Sequence, residues 1–207
     1  MALQFLRRLA TAPLLADGGL LLALRSELNH ELTHQSRQEA IVPSNFTLEY
    51  NAPRSQDVLL RRRDASSHDE VVVSALPGPL RYYGEEAPSQ EVRMKVCVKK
   101  PAFGPVVRFD CCVFDRSVNV GGTSSDFDVR GAWYHSSVNE LGIGGKYLGP
   151  EYSTLDPKLQ QAFKEYLVSR GITTELTDFL LKHLHNKEQG QYVNWLQTLE
   201  AAFAKDS

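Results

Sequence analysis

Three cysteines in 207 residues, two of them adjacent, exclude a disulfide scaffold. Cys97, Cys111 and Cys112 form no C-x-x-C pair, so spacing supplies no redox motif. Neighbouring residues on a strand face opposite ways, which parts Cys111 from Cys112. Such thiols are expected to act as small buried hydrophobes in a reducing compartment. Long apolar runs are missing too. Leu20–Leu24 is cut off by Arg25 and Glu27, and no stretch approaches the roughly 20 residues of a membrane span. An excess of one charge is also absent: 23 basic residues stand against 25 acidic ones, for a net charge of −2.

The signatures of common chemistries fail at named positions. Gly142-Ile143-Gly144-Gly145-Lys146 would need glycine at Glu140 and a hydroxyl at Tyr147 to be a phosphate loop. It would need glycine at Tyr147 to be a dinucleotide fingerprint. No G-x-S-x-G elbow occurs, and His135-Ser136-Ser137 is too common a combination to mark a triad. No catalytic, cofactor-binding or metal-binding residue is therefore expected, and no cofactor.

What remains is an ordinary globular composition, 42% hydrophobic and 23% charged. Residues 1–16 carry Arg7, Arg8 and Thr11 with no acid before Asp17, which reads either as a short mitochondrial targeting segment or as a flexible terminus. Residues 17–207 are expected to form a single domain. A helix is predicted from Asp17 to about Glu39, with Leu21, Leu24, Leu28 and Leu32 along one face. Extended segments follow at about 46–50, 58–62, 71–76, 92–98, 106–114 and 127–134. Between them lie turn residues: Ala52-Pro53-Arg54-Ser55, the polar stretch 63–69, Pro77-Gly78-Pro79, Pro101 with Gly104-Pro105, and Gly121-Gly122-Thr123. Strands at this spacing without intervening helices argue for an antiparallel meander. Lys146–Leu148 offers a short seventh strand.

Three motifs invite a functional reading. His30-Glu31-Leu32-Thr33-His34 is a literal H-E-x-x-H, in which His30 and His34 would share a helix face as zinc ligands and Glu31 would serve as base. A zinc-dependent hydrolase is thus one alternative. Against it, no sheet precedes the motif and residues 35–41 hold neither the glycine nor the third histidine of the extended form; a solvated helix face is the plainer reading. Arg61-Arg62-Arg63 is the densest basic run, and direct RNA binding through it is a second alternative. On a strand Arg61 and Arg63 share a face that Arg62 opposes, so no three-charge patch forms automatically. Asn45-Phe46-Thr47 matches a glycosylation acceptor but has no secretory signal. Tyr82-Tyr83 and Trp133-Tyr134 could stack bases, though such pairs more often split between core and surface.

The last third carries the strongest pattern. Asp156 is a good N-cap, with Pro157 at the first helical position. Leu159, Phe163 and Tyr166 recur on one face, and Arg170-Gly171 is a C-terminal stop. A second helix starts near Thr173 with Leu176, Phe179, Leu180 and Leu184. A third carries Tyr192, Trp195, Leu196, Leu199 and Phe203. None of these residue types is catalytic in such a pattern. The three helices read as a packing device. Leu21, Leu24, Leu28, Tyr192, Trp195, Leu196, Leu199 and Phe203 are the candidates for helix packing and assembly.

Tyr147, Gly149-Pro150, Leu155-Asp156, Leu159, Arg170-Gly171, Glu188, Tyr192, Leu196, Leu199 and Phe203, with Phe109-Asp110-Cys111 and Asp126-Phe127-Asp128-Val129-Arg130 earlier, together resemble the mitochondrial glycoprotein family, the mitochondrial acidic matrix proteins. The resemblance is dense from Tyr147 onward. It implies an α+β fold: an antiparallel, highly twisted sheet of about seven strands, flanked by one N-terminal and two to three C-terminal helices. It also implies a ring-shaped homotrimer in the mitochondrial matrix. Members are non-enzymatic, multifunctional, chaperone-like scaffolds that bind other mitochondrial proteins, ribonucleoprotein complexes among the candidates, and support RNA processing, translation or respiration. No membrane insertion is implied, and direct nucleic-acid contact stays open. The chain departs from the family in charge. Its members are strongly acidic, whereas the stretches 65–90 and 117–125 here hold few carboxylates, so binding to highly basic partners is expected to be weaker here than in those members.

Overall fold

The computed structural model describes residues 16–34, 40–63, 69–81, 89–99, 104–116, 125–137, 139, 147 and 149–204. They fall into two compact units, one spanning Gln38–Glu188 and one joining Met1–Arg37 to Gln189–Ser207.

The larger unit holds β1 (Thr47–Tyr50), β2 (Val58–Arg63), β3 (Glu70–Arg81), β4 (Ser89–Lys99), β5 (Val106–Asp115) and β6 (Ser125–His135). They pair antiparallel in chain order as a simple meander. The count among the described residues is six rather than the expected seven. Of the proposed seventh strand, Lys146 and Leu148 lie outside the described residues, and Tyr147 is exposed and in no strand. Two C-terminal helices follow: α2 (Pro157–Ser169), reached through a 3₁₀ turn at Tyr152–Thr154, and α3 (Thr174–Phe203). Before the sheet lies α1 (Ala16–His34); residues 35–39 of the expected longer helix lie outside the described residues.

Period-two alternation decides which face is buried. Val58, Leu60, Val71, Val73, Ala75, Val92, Met94, Val96, Val98, Phe109, Cys111, Val113 and Phe127 all point to one side. Leu167 of α2, Ile172, and Leu176, Phe179, Leu180 and Leu184 of α3 complete the same core. As adjacent strand residues must, Cys111 enters this core while Cys112 faces the other way, its thiol donating to Glu91 Oε2 at 2.9 Å. The start of α3 is pinned to the start of β6 by polar contacts. Asp178 Oδ1 accepts from the Ser125 amide at 3.1 Å and from its hydroxyl at 2.5 Å, and the same hydroxyl meets Thr177 Oγ1 at 2.5 Å. Buried hydroxyls are tolerated there because they are bonded.

β3 corrects the expected turn at Pro77-Gly78-Pro79, which runs within the strand. Val58 pairs with Ala75, so beyond Leu76 β3 has outrun β2 and is an edge. Proline is tolerated at an edge, where it lacks only a donor that would face outward, and it discourages pairing with other chains. The register shifts between Pro77 and Leu80, and Gly78 is required there: a Cβ would lie 2.8 Å from the Glu91 carbonyl oxygen.

In the smaller unit α1 lies against the second half of α3. Leu21 and Leu24 are buried and Leu28 half-buried; across from them Val193 and Leu196 are buried, Leu199 and Phe203 half-buried. The seam of α1 runs Leu21, Leu24, Leu28, Glu31 in heptad steps. It therefore leaves the expected Leu32 49% exposed and buries Glu31 instead. The break expected between a second and third C-terminal helix is absent, because Lys187–Gln191 contains no proline and its one glycine, Gly190, continues the helix.

A Cβ at Gly190 would meet nothing within 4 Å, so Gly190→Ala should stabilise the protein by about 0.5–1 kcal/mol. Gly171→Ala should do the reverse by more than about 1 kcal/mol, since its φ is +90° and its Cβ would lie 2.3 Å from Arg62 Nη1. Urea denaturation of the two variants beside the parent checks both signs.

Candidate functional site

Besides a pocket of about 300 Å³ lined by Pro77, Val92, Asp115, Leu181, Leu184 and His185, the described residues offer two surfaces. The first is the corner between α2 and α3, where much of the C-terminal pattern gains a physical reason. Asp156 caps α2 by accepting from the Lys158 amide at 2.8 Å, with Pro157 next. Tyr152 donates to the Gln160 carbonyl at 3.1 Å, which fixes the entry to the helix. Phe163 and Tyr166 pack on Phe109 with ring centroids 5.6 and 6.1 Å away, and Leu159 is left outside. At the far end Arg170 Nη2 pairs with Asp69 Oδ2 at 2.9 Å, and the guanidinium lies 4.7 Å over the Tyr166 ring. Asp69 is only 2% exposed. Gly171 then takes its positive φ in a space too small for a Cβ. The Gly149 Cβ position is similarly close, 3.1 Å from the Ala132 carbonyl oxygen. The earlier cluster is explained as well. Phe127 and Val129 enter the core, Asp126 pairs with Arg116 and with Lys164 at 3.1 Å, and Asp128 meets Arg130 at 3.4 Å.

The helix pair is the second surface. Tyr192 donates to Glu27 Oε1 at 3.1 Å, and Arg25 Nε reaches Glu200 at 2.9 Å. Burial, then the Glu27 carboxylate, push the Tyr192 phenol up to about 12. Trp195 stacks on Tyr192, centroids 6.0 Å apart and 19° between planes, yet stays 53% exposed. It lies off the seam that Val193 and Leu196 define. Val193 was missed in the sequence because a single valine among polar residues does not announce a heptad position. Leu20, Leu22 and Leu32 of α1 are also exposed, Leu22 most of all.

The chemical-looking motifs find other work. His30 and His34 share a face as expected, rings 4.2 Å apart, but His34 Nδ1 lies 2.8 Å from the His30 carbonyl and is spent as a donor there. Glu31, the would-be base, is buried on the seam. Among the described residues no three ligating side chains gather. Arg61 and Arg63 share one face and Arg62 opposes them, meeting Gly171. Arg61 pairs with Glu49 at 2.6 Å and Glu70 at 2.5 Å, and Arg63 reaches Glu70 at 3.4 Å. The hydrogen bond from Arg61 holds the Glu49 carboxyl below its usual range. Burial would raise Glu70, but the same arginine outweighs it and keeps it low. This cluster is internally neutralised, a poor start for phosphate binding. Tyr82 and Tyr83 lie outside the described residues. Trp133 fills the space above Gly131, with Arg108 at 4.4 Å over its ring.

The larger unit is an α+β meander with helices on one face, and the smaller is a seamed helix pair. The pattern of the mitochondrial glycoprotein family matches residues 24–203, and the chain belongs to that family. The mitochondrial acidic protein mam33 of Schizosaccharomyces pombe is 26% identical over 203 residues, covering 86% of this chain and 75% of the yeast protein. An uncharacterised mitochondrial protein of Arabidopsis thaliana is 26% identical over 192 residues, covering 87% and 72%. Two solved structures share the fold at 19% identity: a Leishmania major protein described as a homologue of human p32, with TM-score 0.68 over 91% of this chain and 99% of its own, and the Trypanosoma brucei p22 protein, with TM-score 0.67 over 91% and 98%.

Two outcomes are expected here. Arg170→Leu should cost about 1.5–3 kcal/mol by removing the charged bond to Asp69 Oδ2, read as a lowered urea midpoint. Tyr192 has a raised folded pKa, so its contribution is complete below the unfolded value near 10 and is lost as pH rises toward about 12. Stability followed by circular dichroism should fall across that window, and fall less in Tyr192→Phe, which should itself cost about 1 kcal/mol at neutral pH.

Proposed function

We propose that this protein is a non-enzymatic binding protein of the mitochondrial matrix, a chaperone-like scaffold that assembles as a homotrimer and holds other proteins of mitochondrial RNA processing, translation or respiration. Family membership supports the non-enzymatic type. The mitochondrial setting is supported by the names of the fungal and plant relatives and by the acid-free stretch 1–16. The observation that carries the assembly reading is Trp195: a tryptophan held rigid against Tyr192 and half in water, on a helix pair whose partner helix also exposes Leu22 and Leu32. Aromatic side chains of this kind anchor interfaces because one side is already ordered and the other gains from burial. Leu21, Leu24, Leu28, Leu196, Leu199 and Phe203 hold the pair together from within, and Tyr192 orients the tryptophan.

The test is the mass in solution. Light scattering at micromolar concentration should give three chains per particle. Trp195→Ala should weaken assembly, since burying such a side chain contributes roughly 1.5–3 kcal/mol. A well-folded monomeric parent overturns the trimer. Metal analysis addresses the catalytic alternative: one zinc per chain, lost on His34→Gln, would replace the scaffold reading with a hydrolase.

A further inference from the structure

The two helical segments of the larger unit cover one face of its sheet. The middle of the other face is open, and its charges are unevenly matched. Arg61 and Arg63 on β2 and Arg108 on β5 each reach a carboxylate, the last at 3.4 Å to Asp110. Arg93 and Lys95 on β4 do not. Both are exposed, and among the described residues neither makes an ion pair or hydrogen bond. They sit two residues apart on one face of a central strand, about 7 Å from each other. Like charges so placed repel and lower stability slightly. Arg93 lies between Leu76 of β3 and Cys112 of β5, and Lys95 between Ser74 and Asp110. Half-buried Leu76, Val72 and Phe114 share this face with them.

We infer that this open face docks an acidic polypeptide segment of a partner protein, with carboxylates at two-residue spacing meeting Arg93 and Lys95 and apolar side chains between them resting on Leu76 and Val72. The inference rests on the binding-protein reading and names the partner's chemistry. Charge complementarity sets the sign, and an extended segment repeats its side chains on one face at the same spacing as the two cations. The apolar margins favour a polypeptide over a phosphate backbone. Trp133 points the same way. Its ring packs close to Gly131 and already carries the Arg108 guanidinium 4.4 Å from its centroid, so it is less available for a base to stack on. A chain of net charge −2 sets up little long-range repulsion against such a segment.

The probe is a fluorescein-labelled peptide of alternating glutamate and valine, titrated by anisotropy into the full-length protein in its native assembly. An alternating lysine–valine peptide and a single-stranded oligouridine of similar length are run beside it. The parent should bind the acidic peptide, more weakly as salt rises, and Arg93→Glu with Lys95→Glu should lose about tenfold in affinity, while Arg93→Lys keeps it. Both sites are exposed, so the variants should fold, as circular dichroism will show. Equal binding by parent and double variant overturns the inference. So does tighter binding of oligouridine through the same two residues, or a changed mass of the folded double variant in light scattering, which would make the face a contact between copies. Capture of defined mitochondrial partners separates the two levels. If the parent captures such partners but ignores the acidic peptide, only this inference fails; if it captures none, the binding-protein reading fails with it.

Discussion

Gly171 turns the chain between α2 and α3 at φ +90°, where a Cβ would press into Arg62 and lie 3.0 Å from the Asn45 amide. One residue earlier Arg170 reaches across to the buried Asp69 at the head of β3. Together they fix where α2 ends and in which direction α3 leaves. The rest of the larger unit depends on that direction. Only with α3 turned back over the sheet do Leu176, Phe179, Leu180 and Leu184 reach the face that Val58, Val73, Val96 and Phe109 present. A glycine is needed for the backbone, and an arginine is needed because its fork can bind a carboxylate and stack on Tyr166 at once.

A meander covered on one side has a consequence for the other. Every strand must be apolar at alternate positions, and the intervening positions are released from the core. Here they hold a mixed field of arginines, lysines and carboxylates with a thin scatter of leucine, valine and phenylalanine. Edges are handled separately. β3 carries two prolines where it outruns β2, and β6 bulges at Arg130, between the Asp110–Gly131 and Cys111–Val129 pairs. Such interruptions deny neighbouring chains a clean ladder.

The helices and most strands were legible because their signals are local: alternation in Val92–Val98, the cap at Asp156-Pro157, the stop at Gly171. Errors arose where the deciding partner lies far along the chain. Pro77-Gly78-Pro79 reads as a turn until β2 is seen to end opposite Ala75. The seam of α1 takes Glu31 rather than Leu32, because a heptad partner, not hydrophobicity alone, selects the buried position. Asp178 looks like any helix acid, yet it anchors Ser125 across 53 residues of sequence. Arg61 through Arg63 look like a phosphate patch until Glu49 and Glu70 are placed beside them. The single α3 was hidden by Gly190, which weakens a helix without ending it.

Charge then separates this chain from what its family's acidic character implies. At −2 per subunit, a ring of three would carry about −6, and at physiological salt that field fades within about 8 Å. Long-range steering of basic partners is therefore weak, and partner choice falls to contacts made at close range. Those contacts differ by surface. The helix pair presents tryptophan and leucine with its charges already paired at Arg25–Glu200. The open sheet face presents Arg93 and Lys95, which make no ion pair among the described residues. On the proposed reading, such a protein would discriminate by local complementarity: apolar burial for assembly on one surface, and matched charge over a shallow apolar margin on the other.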